Sequence, residues 1–510
     1  MVLATSAPRK GRFFMAGTVA ASGGLAMAWL FFLAGFSLYG GALALRHAWF
    51  QTSAWDLAIF DQATYLIAQG WPAQSSLLGF HILGDHGALV LYPVGWIARV
   101  VPSVALWMVL QSAALAATVF PLDRLGRLRG LSRRARAVSL AVLLLYPVMF
   151  NSAIFDVHPE VLALPLVMQA LFLLERARPG DALWIAACLL LTLTCKLALA
   201  LLVLGFAASL LLQRRWRLGA GLLGLALTWA AAVGGWLMPA FGGEQASLLR
   251  HAGKFGVQSG GGGSAVAPIP LLQAVLGHLF SLENLAYLLL LLVPVLYVLL
   301  HRRRGRFLMG LLPFLPLLLL NLAAEQASLK DLVHHYSLFL VPFLAAGVQQ
   351  TLAPGPEGLA GYGAWLQPRL LMLVLGWAVL CFVLFSRLSF YAGPFQQRLD
   401  TVPQLRTAMA LVQPQAALLT TNEIAPHLAR RRVIAITAKP ELKRLDRYDQ
   451  ILLDRRHPGW KSSPQLVRRI TARLEANPCW RLRFQRGDVL LFEQQRSTAS
   501  CRASVGRGGG

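Results

Sequence analysis

Acid is scarce in this chain. Among 510 residues, 22 Asp and Glu face 47 Lys and Arg, for a formal net charge of +25. Charged residues of both signs make up only 14% of the chain and hydrophobic residues 56%, so the basic excess does not describe a nucleic-acid surface. In so apolar a chain it follows the tendency of cytoplasmic loops to collect Lys and Arg. Cysteine is equally thin. Cys188, Cys195 and Cys381 lie in apolar stretches, where each reads as a small hydrophobe, and no CxxC or zinc-ligand spacing occurs. Cys479 and Cys501 lie in the polar tail and can pair if that tail faces an oxidising compartment. Walker loops, dinucleotide fingerprints, HExxH and GxSxG are all missing, which leaves nucleotide hydrolysis and dinucleotide redox chemistry without support.

Long apolar runs are what the chain has in quantity. Arg9, Lys10 and Arg12 precede a run from about Phe14 to Ala44, about twice the apolar core of a signal peptide, which reads as an uncleaved anchor with residues 1–13 in the cytoplasm. The loop 45–87 is then external. The span from about Ser103 to Phe120 returns to PLDRLGRLRGLSRRARA, a cytoplasmic loop by its arginines. Spans near Val138–Phe155 and Val161–Leu174 enclose a short outer turn, FDVHPE. Further spans are expected near Leu218–Pro239, Leu285–Leu300, Phe307–Leu322, Ser337–Val348 and Leu370–Phe385, with HRRRGR inside, the loops 241–270 and 323–336 outside, and everything after Arg387 outside by parity.

One stretch does not fit the simple count. Ala182–Leu212 is too long for one crossing and too short for two, it lies between two arginine-rich cytoplasmic segments, and it holds Lys196 near its middle. A cation at bilayer depth costs about 3 kcal/mol even on the mildest insertion scale, so Lys196 needs water or an anionic partner. Two short helices meeting near Cys195 and Lys196, their junction buried in protein or lining a wet cavity, satisfy both conditions. Snorkelling to the outer interface is the plainer alternative.

The expected architecture is therefore an all-α polytopic membrane protein with about 10–11 membrane segments, some short or re-entrant, over residues 14–389. A C-terminal extracytoplasmic α/β domain follows over 390–495, then a flexible tail over 496–510. The strand-like runs Ala416–Thr420, Val433–Thr437, Gln450–Asp454 and Val489–Glu493, with a helical stretch at Ser463–Ala476, carry the α/β expectation.

With topology fixed, Asp56, Asp61, His81, Asp85, His86, Asp156, His158, Glu160, Lys196, Lys330, Asp331, His334 and His335 all fall at the outer ends of spans. Carboxylates, imidazoles and cations at one face can bind a charged headgroup and move a proton. Asp56 and Asp61 are five residues apart, about 140 degrees on a helix, so both cannot face one ligand unless the segment is irregular. One of them is expected to be a functional carboxylate, while solvated loop acids or helix caps explain them equally well. Asp85 and His86 precede a short dipping helix, and Asp85 also suits a helix start. Pro159 and Glu160 fit a first helical turn, which makes His158 the more telling residue of FDVHPE. His334 and His335 can donate to a phosphate or be ordinary interfacial residues.

WDLAIFDQATY, DHGALVLYPVGWI, FDVHPEVLALPL, TCKLAL and HHYSLFLVPFL, in this order, resemble the bacterial multi-pass family known as domain of unknown function 2079. The resemblance runs from about Ser53 to Leu453 and takes in the tail strand DQILLD. It departs in two places: Leu197 and Ala198 follow Lys196 where the family usually has Glu-Asp, and the usual His-Phe-Ser-Pro-like start is reduced to His86-Gly87-Ala88. The family layout is similar to that of C-type glycosyltransferases, which take a sugar from a polyprenyl phosphate on the outer face. That resemblance implies a bacterial plasma (inner) membrane location and a polyprenyl-phosphate-linked sugar as partner beside the lipid bilayer. It also implies Asp56 or Asp61 as base or as ligand of a divalent cation, with Lys196 and His334 facing phosphate; His86, Asp156, His158, Glu160 and His335 are expected around substrate and phosphate from their place at the outer ends of spans. No nucleic-acid partner is implied. A transporter or lipid flippase, with Lys196 as substrate counter-ion at a helix break, and a non-enzymatic envelope scaffold are the rival expectations.

Overall fold

A computed structural model describes residues 17–243, 279–301, 309–355 and 367–495, with side chains from residue 26 and, after the last break, from 368. Arg9, Lys10 and Arg12, most of the loop expected at 241–270, most of HRRRGR, Cys501 and the tail 496–510 lie outside the described residues.

Among the described residues, five helices are long and apolar enough to cross a membrane: Ala26–Ala48, Ser103–Leu128, Trp216–Gly242, Leu282–Leu300 and Pro368–Phe385. The helices Arg133–Leu144 and Pro147–Ile154 together are long and apolar enough for a broken span or a re-entrant segment, and they bend by 42° at a proline that has no N–H to continue the upstream hydrogen bonds. Three shorter apolar helices, Asp181–Cys195, Leu197–Leu212 and Met309–Ala323, accompany them, and Leu164–Arg176 and Val341–Leu352 pack into the same core at the positions expected for two more segments. The expected all-α membrane architecture with short and broken segments is what forms. Leu30, Leu33, Met372, Leu373 and Leu384 remain exposed on the outer helices, where lipid replaces water as solvent.

Helices that share an apolar surroundings gain nothing from hydrophobic burial against each other, so packing and polar pins hold them. Tyr39 donates to the Leu144 carbonyl at 2.6 Å, Asn151 to the carbonyls of Leu332 and Phe385, and Gln349 to that of Leu122. One sequence expectation shifts here. PLDRLGRLRG is not a loop: the helix continues to Leu128, because Asp123 is neutralised by Arg127 one turn on and by Arg136 on the next helix at 2.6 Å. Only residues 129–132 turn the chain.

The C-terminal domain is a five-stranded sheet of order β4-β3-β5-β7-β6, from β3 (Leu418–Thr420), β4 (Ile434–Ile436), β5 (Gln450–Asp454), β6 (Trp480–Arg486) and β7 (Val489–Gln494). A short β1–β2 hairpin (Gln74–Ser75, Phe80–His81) lies in the first loop. β3 pairs parallel to both β4 and β5, while β7 runs antiparallel between β5 and β6. Four strands and the helix Pro464–Glu475 match the sequence expectation. β6 was not anticipated, because WRLRFQR alternates an exposed basic row that reads as loop.

One face of this sheet packs under its own helix. The other forms a core with Phe50, Ala54 and Ala58 of the first loop. Ser76 brackets the edge strand β4 through Ile434, accepting from its N–H and donating to its carbonyl, which leaves less of that edge open to pairing. The domain and the loop 45–87 therefore lie at the same end of the molecule.

Candidate functional site

The site begins at the break in Ala182–Leu212. Helix Asp181–Cys195 stops, Lys196 is extended (φ −167°, ψ 136°), and a short 3-10 turn precedes Ala200–Leu212. Val90 from the dipping segment donates its N–H to the carbonyl of Thr194, one of those freed at the break. The lysine finds its anion in Glu160, with Nζ to Oε1 at 2.5 Å. Glu160 is buried in a 3-10 turn opened by Pro159. The acid that the family usually places next to this lysine is thus supplied from 36 positions earlier.

Two imidazoles complete the group. His335 Nε2 lies 3.2 Å from the same Glu160 oxygen, and its ring lies tilted at 37° against that of His158, with the centroids 3.8 Å apart. Behind His158, Asp56 Oδ2 approaches Nε2 at 3.6 Å. Asp56 is the most open member, its side chain 35% exposed. It also carries a rare backbone, φ 77° and ψ −82°, inside an irregular turn at Ala54–Ala58. A non-glycine residue there costs on the order of 1–3 kcal/mol and persists only where its surroundings enforce it.

The surroundings are visible. Ser53 caps the turn by accepting from the Trp55 N–H, Ala54 donates to the Asn422 carbonyl of the C-terminal domain, and the Ser53 N–H points at the Asp156 carboxylate, which Arg46 holds at 2.9 Å. Partial burial pushes the Asp56 carboxyl up to about 6, and the Asp156 and Glu160 charges add to the rise. Burial, with His335 beside it, holds His158 down to about 3, so it is neutral. Neither nitrogen of His158 makes a hydrogen bond, and Glu160 Oε2 has none. Buried polar groups with unused capacity are uncommon and call for a ligand, water or strain to account for them.

Not every sequence candidate joins this group. Asp61 is buried on the regular helix Ile59–Ala68 and accepts from Ser103 at 2.5 Å. The irregularity that lets Asp56 reach the group ends before it. Asp156 is spent on Arg46 and Ser53. His334 turns aside to Asp331 at 2.7 Å and to the edge of Phe155. His86 rests on Asp85 and lies within electrostatic reach of Lys196 and Glu160. His81 packs against Phe241, and Lys330 sits 3.5 Å from Glu283. Sequence reasoning overlooked Arg46 and Tyr336. Tyr336 was legible as the residue that follows the paired histidines, and it stacks on His335 at 4.2 Å.

Among the described residues no group of three or more His, Cys, Asp or Glu is placed to hold a metal ion, and Glu160 already serves Lys196 and His335. The donors around Lys196 do not fit a cation. Two cavities of about 230 Å³ lie elsewhere: an apolar one lined by residues such as Leu291, Leu318 and Phe343, and a polar one beside Arg129, Glu175 and Gln350.

The fold has solved counterparts. It resembles the crystal structure of ArnT from Cupriavidus metallidurans bound to undecaprenyl phosphate, at TM-score 0.58 and 12% identity over 94% of this chain and 98% of that one. The apo form of the same ArnT aligns at TM-score 0.53 and 13% identity over 93% and 98%. The chain thus shares the polytopic membrane fold of ArnT. Residues 46–491 match the family described as Predicted membrane protein (DUF2079), and the chain belongs to it. No curated protein matches it.

Proposed function

We propose that this protein is a membrane glycosyltransferase that moves a sugar from a polyprenyl-phosphate donor to an extracytoplasmic acceptor at the group around Lys196. The observation that carries the reading is the open, strained Asp56 carboxylate beside a buried set of cationic and imidazole groups with unspent hydrogen-bonding capacity, in a fold shared with ArnT. The ArnT structure was solved with undecaprenyl phosphate, which supports a lipid-linked phosphate as the donor's leaving group.

In this scheme the acceptor hydroxyl attacks the anomeric carbon of the donor sugar and the bond from that carbon to the phosphate oxygen breaks. Asp56 takes the hydroxyl proton. Lys196, with His335 beside it, meets the charge that collects on the departing phosphate, an electrostatic task suited to a dry site. Glu160 keeps Lys196 charged and oriented. Asp156 and Arg46 brace the turn that presents Asp56. Cys479 is disulfide-bonded, which supports an oxidising, extracytoplasmic location for the C-terminal domain in a bacterial inner membrane protein.

The test is transfer from a polyprenyl-phosphate sugar by the purified protein in lipid vesicles. Asp56→Asn is expected to abolish product while insertion and thermal stability are kept. Full transfer by that variant overturns the assignment, and flux of the lipid without any covalent product points to a flippase instead.

A further inference from the structure

The turn that presents Asp56 also presents an aromatic edge to the C-terminal domain. Trp460, 70% exposed, donates its indole N–H to Ser53 Oγ at 3.3 Å. Lys461 Nζ lies 4.4 Å from the Trp460 ring centre and 5.2 Å from that of Trp55, and among the described residues no carboxylate is paired with it. Beneath them, the Trp55 indole nitrogen, the Asn422 side-chain nitrogen and the Thr421 hydroxyl are buried without hydrogen-bond partners. The loop 458–462 closes over Asn422 so tightly that Gly459, at φ +86°, has no room for a side chain: a Cβ there falls 2.9 Å from Asn422 Cβ. An exposed tryptophan joined to buried donors that no protein group satisfies suits an amphipathic ligand.

A pyranose ring has that character: an apolar C–H face for an indole and hydroxyls for the donors beneath. The cation adds a second requirement. Lys461 spans both rings, and the domain around it, residues 390–495, carries 18 Lys and Arg against 9 Asp and Glu, which draws anions toward this face. We propose that Trp55, Trp460 and Lys461, over Thr421 and Asn422, form the acceptor subsite, and that the acceptor is an anionic saccharide. Its pyranose stacks on Trp460, its acidic substituent meets Lys461, and lifting of the loop 458–462 brings its hydroxyls onto the buried donors, one residue from Asp56. The word acceptor rests on the glycosyltransferase reading; the saccharide site does not.

Binding to the full-length protein in lipid nanodiscs, measured with trigalacturonate as the anionic probe and maltotriose as the neutral one, decides it. Wild type is expected to bind trigalacturonate in preference to maltotriose. Trp460→Ala, which alters an exposed side chain and leaves thermal stability intact, is expected to weaken both by about tenfold, roughly the loss of one stacked ring. Lys461→Gln is expected to remove the preference and keep the neutral sugar. Binding of neither probe by wild type, equal binding by Trp460→Ala, or a preference for maltotriose overturns the proposal. The two readings fail separately. If Asp56→Asn stops transfer while Trp460→Ala binds normally, only the subsite is lost. If Trp460→Ala loses the saccharide while Asp56→Asn transfers normally, only the glycosyltransferase reading is lost.

Discussion

Two buried charge groups in this membrane domain use the same ingredients to different ends. At one end Asp123 is held by Arg127 and Arg136, and its two oxygens are both spent, Oδ1 on Arg136 and Oδ2 on Arg127. At the other, Lys196, Glu160, His335, His158 and Asp56 touch in sequence, yet neither ring nitrogen of His158 makes a hydrogen bond, one Glu160 oxygen is idle, and Asp56 opens outward on a strained backbone. The first group lets one helix run through an arginine-rich stretch and pins it to the next. The second gives more than the fold needs. The first group spends its whole carboxylate and leaves only Arg136 Nε without a partner, away from any open carboxylate, and so reads as structure; the second leaves two imidazole nitrogens and a carboxylate oxygen unused beside the open Asp56 and so reads as a place for chemistry.

Breaking each group in turn sharpens the contrast. After the complete loss expected of Asp56→Asn, the next largest effect on transfer is expected from Lys196→Met, which removes the cation proposed to face the leaving phosphate: about a hundredfold loss in rate, the scale for one oxyanion-stabilising donor, read in the vesicle assay at matched protein. Arg136→Met is expected to destabilise the fold by about 3 kcal/mol, since it strips a partner from a buried carboxylate that keeps only Arg127, while transfer per folded molecule stays near wild type. A thermal-shift series with an activity normalisation checks both halves. If Arg136→Met matches Lys196→Met in activity, the two groups are not distinct in kind.

The pH profile gives a smaller effect. Asp56, pushed up to about 6 by burial, serves as a base only when ionised, so the rate should rise with pH, about tenfold per unit below about 6, and level off above it. A profile flat from pH 5 to 8 removes Asp56 as the base. The smallest effect belongs to Asp61. Burial, opposed by the Ser103 hydroxyl and Arg430, raises its carboxyl to about 7, and Asn keeps an acceptor for that hydroxyl. Asp61→Asn should leave rate and profile unchanged within about twofold; a displaced inflection would transfer the base role to it.

Much of this was legible in the sequence because each inference rested on a local rule. The lysine in an apolar stretch of impossible length required a break and a partner, and both are there. FDVHPE and HHY sat at span ends, and Glu160 and His335 meet at Lys196. The strands of the C-terminal domain announced themselves by apolar runs, whereas β6 hid behind its exposed arginines. Asp56 and Asp61 could not be separated, because their difference lies in one backbone torsion. The arginine-rich stretch after Phe120 passed for a loop, since its charge pattern carries no word of the partner Arg136 on another helix.

By itself the sequence determined that the chain is a multi-pass membrane protein and that Lys196 is sheltered, since hydropathy and the energy of a buried cation depend only on residue types along the chain. The tertiary structure alone decided which acid answers that lysine, which aspartate leaves the helix, and which tryptophans the C-terminal domain sets beside it. Those are contacts between residues tens to hundreds of positions apart, where partner and direction are fixed by packing and by the backbone it can hold in strain.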